Sequence, residues 1–490
     1  MTSSPTGTDL YQYSRLAPSR LAFAVMAILG LICCGLYFAQ IVPDTIETVG
    51  IILVLITILP WIIYVWDGKL ETVPFLPVVG TFYTIFFAFP IYLAPLGWSD
   101  YSSIILYGRV AIGEVRSEVL WLIVFSLCAC WMTYYLATYL LKGSSARFWL
   151  PSVQSAGQQK SLFYILLIAH LFGRLFPELA AIGSINQFLE PAGYVGLGGF
   201  YFLWRRKELT KRDLFLLLAA ILPLEIYLRI RILFITDILL LGLFLILLLW
   251  KGRQFRLIAV LALTSLIIIS SYSATGPFRS GIDHGVEKIV RAAKIYLHLY
   301  ILRSDSVDTS VNKIVFSEGR FGSLVKRISH VWVFHAVADK SPEPIPFWDG
   351  YSYRGLLYMG LPRLLFPDKP EERVGGEFGH RYGFLDSGES SSVNLPWIIE
   401  LLANFGAAGV VAGMGLIGVF LAFIAQLIDA QRNSFLEFTV ALSLLFPLAY
   451  QESNLSVMTG TLLLQYFAFV FYFRIGRKLL PSFSKNPKTA

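Results

Sequence analysis

The strongest constraint on this chain is a recurring apolar run of roughly 20 residues, repeated with short polar breaks over most of its 490 positions. A helix of that length spans the hydrocarbon of a bilayer, and backbone in lipid must close its own hydrogen bonds, so these runs predict transmembrane helices. Composition agrees. Hydrophobic residues make up 56% of the chain and charged residues 15%, against about 25% charged in soluble domains.

Twelve spans are expected: 21–42, 46–66, 73–97, 119–141, 161–182, 185–204, 213–230, 232–250, 255–272, 396–425, 435–451 and 456–473. The first has no small-residue cleavage site after it and reads as a retained anchor. Lys and Arg gather in alternate loops, at Lys69, at Lys142, Arg147 and Lys160, at 205–212, and at Lys251, Arg253 and Arg256. The positive-inside rule then puts both termini in the cytoplasm. The chain divides into a tail (1–20), nine spans (21–272), a large external loop (273–395), three spans (396–473) and a second tail (474–490). The net charge of +8 follows from these inside loops and calls for no nucleic acid. Cys33, Cys34, Cys128 and Cys130 all fall within spans and read as small buried hydrophobes.

The external loop holds fifteen Lys and Arg against fourteen Asp and Glu. Two stretches in it, 284–303 and 320–337, place apolar residues at helical spacing, as interfacial helices or as helices of a small cap packed on each other. No internal repeat is visible, which weighs against a repeat-built transporter.

Ionisable residues inside spans are costly and mark candidate sites. His170, Arg174 and Glu178 share one helix face, either as a structural pair or with Arg174 lining an anion site. Arg229 and Arg231, near an external helix end, are suited to bidentate phosphate binding or to pairing with Glu225 and Asp237. Glu400 opens the tenth span, as a general base or as a partner for a loop arginine. The ladder Gly406, Gly409, Gly413 and Gly418 suits close helix approach. Phosphate loops, HExxH, paired CxxC and GxSxG are absent. The first external loop has only Asp44, which argues against a metal-bound carboxylate site, and no cofactor is implied.

Two runs carry a resemblance: DGYSYRGLLYMGLPRLLFPDKPEERVGGEFGHRYG from Asp349, and NLPWIIELLANFGAAGVVAGMGLIG from Asn394. The pieces are Gly350–Tyr353, Pro362–Arg363, Pro367–Pro370, Gly376 with Phe378, Tyr382–Gly383, Glu400 and Asn404–Gly406. They resemble the signature of bacterial oligosaccharide repeat-unit polymerases, the Wzy-type O-antigen and exopolysaccharide polymerases. The resemblance covers about 60 residues; beyond them only hydropathy and the single large loop match. It implies an all-α polytopic protein of the inner membrane with a periplasmic loop. Its activity would be transfer of a glycan from undecaprenyl pyrophosphate onto another lipid-linked repeat unit, with membrane lipid and a chain-length regulator protein as partners. Arg363 and Lys369 match family positions. Their role in holding pyrophosphate is a physical inference, extended to Arg381, Arg279, Arg229, Arg231 and Arg174. Glu400 or His380 would take the acceptor proton, and Trp348, Tyr351, Tyr353 and Trp397 would stack on sugars. An O-antigen ligase or protein O-oligosaccharyltransferase, and a glycan or lipid transporter, stand as alternatives.

Overall fold

In the computed structural model, the described residues are 20–40, 45–66, 72–97, 104–106, 110–112, 115–141, 156–176, 185–231, 235–270, 325, 327–361, 366–428 and 435–479. They form a helical protein with one two-stranded antiparallel hairpin, β1 (Ile104–Leu106) and β2 (Val110–Ile112). The helices before the large loop are α1 (Arg20–Phe38), α2 (Ile46–Trp66), α3 (Phe75–Tyr83, continued through the π-turn Thr84–Ala88 to Phe89–Gly97), α4 (Ser117–Leu140), α5 (Ala156–Leu175) and α6 (Ile185–Arg205). They continue with α7 (Lys211–Leu216, a π-turn Leu217–Ile221, then Leu222–Arg231), α8 (Ile235–Lys251) and α9 (Phe255–Ser270). Within the loop's span come α10 (His330–Lys340), a 3-10 turn Tyr351–Leu357 and α11 (Val374–Arg381), and after it α12 (Trp397–Ile428), α13 (Phe435–Tyr450) and α14 (Leu455–Leu479). Among the described residues, five helical segments are long and apolar enough to cross a membrane: Ile46–Trp66, Phe75–Ala94, Ser117–Leu140, Trp397–Ile428 and Leu455–Arg474. The protein is thus membrane-embedded, and each expected apolar run that is described is helical.

Small residues set the helix contacts, as packing without a hydrophobic driving force requires. A Cβ at Gly193, Gly196 or Gly199 on α6 would run into His170, Leu167 or Phe163 on α5, and one at Gly198 into Thr439 on α13. On α12, Gly418 lies against the Cys130 carbonyl and Thr133 of α4, and Thr133 Oγ1 donates to Gly415 O at 2.6 Å. The α4 Trp131 indole donates to Ile56 O on α2 at 3.1 Å. Cys33, Cys128 and Cys130 are buried as expected, whereas Cys34 is exposed.

The structure corrects the reading of 396–425 as one span. At Gly406 the backbone takes φ 68° and ψ −165°, and the helix reverses. On a straight helix Trp397 and Phe420 would stand about 34 Å apart, yet their ring centroids are 6.4 Å apart. Leu401 likewise lies against Gly413 rather than about 18 Å from it. The short arm therefore folds back along the long arm, residues 407–428, which at about 33 Å is still long enough for a bilayer. Gly409 and Gly413 make room for Phe405 and Leu401 of the returning arm. Backbone carbonyls at the break are satisfied from outside the helix: Trp348 N–H donates to Ala403 O (3.0 Å) and Asp349 N–H to Asn404 O (3.2 Å). Broken helices persist in lipid only where such groups find partners.

The stretch expected over 320–337 as an interfacial or cap helix is a helix from His330, and it does not rest on a lipid surface. Residues His330 to Val337 are all buried. The helix packs on α12, α4 and the π-turn of α3, with the His330 ring 4.5 Å from that of Phe86. Phe87, the next residue of that π-turn, has its ring 6.2 Å from that of His330. The candidate helix 284–303 lies outside the described residues.

Candidate functional site

The returning arm of α12 is fastened by a hydrogen-bond assembly drawn from three distant parts of the sequence. Glu400 is fully buried. Ser352 Oγ donates to its Oε1 at 2.7 Å and the Leu455 N–H, at the start of α14, to its Oε2 at 2.8 Å. Asn404, one turn on, donates to Ser352 Oγ (2.8 Å) and Glu400 O (2.7 Å) and accepts from Gly350 N–H at 3.0 Å. A second carboxylate, Glu372, accepts from Asn454 Nδ2 at 3.0 Å and from the Tyr358 hydroxyl at 3.4 Å. Asn454 also donates to Ser456 Oγ. The arm, the 3-10 turn and the α13–α14 corner are thereby locked together.

Over this frame lies a more open cluster of aromatic and charged side chains. Arg354 sits 3.9 Å from the Tyr351 ring centroid and pairs with Glu377 of α11 at 3.0 Å. Arg381 donates to Pro346 O at 2.6 Å and lies 5.8 Å from the Trp348 ring. The Tyr353 and Phe405 rings stack at 5.9 Å. Burial, with the Glu400 carboxylate nearby, pushes the Tyr353 phenol up. His380 is exposed on α11. Lys369 Nζ donates to Met359 O and Leu361 O, both at 2.9 Å, and so closes the end of the 3-10 segment.

A separate ionic network lies between α5, α6 and α7. His170 Nε2 is 3.0 Å from Glu225 Oε2, and Arg229 Nε donates to Glu225 Oε1 at 2.5 Å. Arg174 donates to Glu190 Oε1 at 2.6 Å, with Arg229 Nη2 3.4 Å from the same oxygen and its guanidinium 5.6 Å from the Tyr194 ring. His170, Glu225 and Arg229 are each 1% exposed. Arg174 and Arg229, two of the arginines weighed as phosphate ligands, are thus matched by carboxylates, as buried charges require. Glu178, the expected partner on the same helix, lies outside the described residues.

A third polar group surrounds α10. Arg327 pairs with Glu452 at 2.9 Å, and Tyr83 donates to Gln451 Oε1 at 2.6 Å. Burial, aided by Arg327, pushes the His330 imidazole down to about 3; burial pushes the Glu452 carboxyl up.

Of the residues selected from sequence, Trp348, Tyr351, Tyr353, Lys369, Arg381 and Glu400 fall in one neighbourhood, with His380 beside them on α11. Trp397 does not serve as expected: it is fully buried, with its ring against Phe420, and offers no face to a sugar. Glu400 likewise gives both carboxylate oxygens to protein donors. Arg229 and Arg174 are held in the ionic network. Arg363 and Arg279 lie outside the described residues, as does the Arg231 side chain. Sequence reasoning passed over Arg354, though it ends the quoted Tyr-Ser-Tyr-Arg, and Glu190, a carboxylate just ahead of Pro191 in an apolar run. No family model, no curated protein and no solved structure matches the chain.

Proposed function

We propose that this protein is a polysaccharide polymerase of the bacterial inner membrane. It transfers a glycan from undecaprenyl pyrophosphate onto another lipid-linked repeat unit at the periplasmic face, with both termini cytoplasmic. One observation carries the reading. Two runs that resemble the repeat-unit polymerases meet through Ser352, Glu400, Asn404 and Gly350, residues 48 to 54 positions apart, and the meeting point holds up a cluster of arginine and aromatic side chains. Guanidinium groups match the geometry of a diphosphate and stabilise its departing charge without a metal or cofactor. In this reading Arg381, Arg354 and Arg363 face the diphosphate, and Trp348 and Tyr351 stack on sugar rings. His380 takes the acceptor hydroxyl proton. Glu400 holds the frame, Lys369 closes the turn beneath it, and Arg174 and Arg229 keep the helices in register.

The test is purified protein in vesicles with a synthetic undecaprenyl-pyrophosphate repeat unit, followed by gel analysis. A ladder that stays on undecaprenyl pyrophosphate is expected. Arg363→Ala and His380→Ala are expected to express normally and make no long chains. Product only on lipid A or protein would make the enzyme a ligase, and no lengthening with purified protein would end the enzymatic reading.

A further inference from the structure

The 3-10 turn and the residues that follow it present an apolar face that the transfer chemistry does not use. Leu357 is 89% exposed, Leu356 44% and Leu361 39%. The opposite face, Ser352 and Gly355, is buried against Glu400, Glu372 and Ser456, in keeping with a period of three. On a segment in water such a leucine cluster would be an unusual surface for a monomer.

Two independent features indicate what covers it. The first is continuity. A Cβ at Gly360 would lie 3.0 Å from Leu463, and Leu463 begins an outward stripe on α14 continued by Phe467 and Phe471, all exposed. That helix is one of the five apolar and long enough to cross a membrane, so the leucines extend a surface already turned to lipid. The second is backbone closure. Amides of residues 351, 353, 358, 359 and 361 all donate to nearby carbonyls, and Lys369 caps the carbonyls of Met359 and Leu361. Irregular backbone tolerates hydrocarbon only when closed in this way.

We propose that the segment from Leu356 to Leu361 lies in the bilayer, with Leu356, Leu357 and Leu361 against lipid acyl chains. The sequence reading had placed it in an aqueous loop. The inference is independent of the enzymatic reading, since it concerns where the segment sits and not what it catalyses.

Site-directed spin labelling of the full chain in phospholipid vesicles tests it. Cys34→Ala removes the one exposed native thiol, and nitroxides are placed singly at Leu357→Cys, Phe467→Cys and Arg373→Cys. Collision with oxygen, which concentrates in hydrocarbon, is compared with collision with a water-soluble nickel chelate. Leu357 is expected to match Phe467, with oxygen dominant, while Arg373, whose side chain is 75% exposed on a charged stretch, gives the reverse. If Leu357→Cys lowers the folded yield, Leu356→Cys replaces it. Nickel-dominant relaxation at the turn, equal to that at Arg373, overturns the proposal.

Discussion

Replacing Gly406 by alanine tests the reversal of α12 directly. The residue holds φ 68° and ψ −165°, a region that in practice only glycine enters, and forcing alanine into it costs about 1–3 kcal/mol. The new Cβ would also stand 2.8 Å from Phe347 Cζ and 3.2 Å from Cε2. The ring edge can tilt, so this overpacking adds only about 1 kcal/mol. Together the penalty is about 2–4 kcal/mol. Alanine also gains about 1 kcal/mol of helix propensity over glycine, which favours a straight rod and pulls Glu400 away from Leu455. Unfolding of purified protein by SDS titration in mixed micelles reads the stability. The geometry is read with Leu401→Cys and Gly413→Cys: mild oxidation is expected to join them, with mass spectrometry locating the bridge, and Gly406→Ala is expected to abolish it. Phe347→Ala is expected to recover only the steric share. The reasoning fails if Gly406→Ala unfolds within about 0.5 kcal/mol of the parent with the bridge intact, or if the parent pair never bridges.

Three further outcomes are expected. Arg229→Met leaves Glu225 buried with a lost partner and should cost about 3–5 kcal/mol in the same titration; adding Glu225→Gln should return part of it, and additive losses would dissociate the pair. Glu400→Ala strips the acceptor from Ser352 Oγ and Leu455 N–H and should cost about 2–4 kcal/mol, whereas indifference to the change would remove Glu400 from the frame. His330 has a folded pKa of about 3, below its ordinary value of 6.5, so the unfolded chain binds the extra proton first. Its contribution to stability is therefore intact above pH 6.5 and lost as pH falls toward 3. His330→Phe should flatten that part of the pH profile, and an unchanged slope would count against burial as the cause.

Much of the site's polar logic could not be seen along the chain. Arg174 is one turn from His170, and local spacing pointed along its own helix, whereas Glu190, to which it donates, stands on the next helix. Glu400 read as a base near a surface because helical spacing says how residues share a face, not what lies opposite. Its partners, Ser352 and Leu455, are set by the packing of the 3-10 turn and the α13–α14 corner. Trp397 was read as stacking on a sugar ring, and the fold-back buries it.

The sequence by itself determined that the chain is helical and membrane-embedded, where most helices begin and end, and that the glycines of α12 suit close helix approach. Those are local consequences of apolar length, of backbone that must bond to itself in lipid, and of side-chain volume. The tertiary structure decided that α12 turns back at Gly406, which carboxylate answers each arginine, and that the leucines beyond Tyr351 join the outer face of α14. Such outcomes depend on groups far apart in the chain reaching one another's hydrogen-bonding distance, and only the assembled packing brings them there.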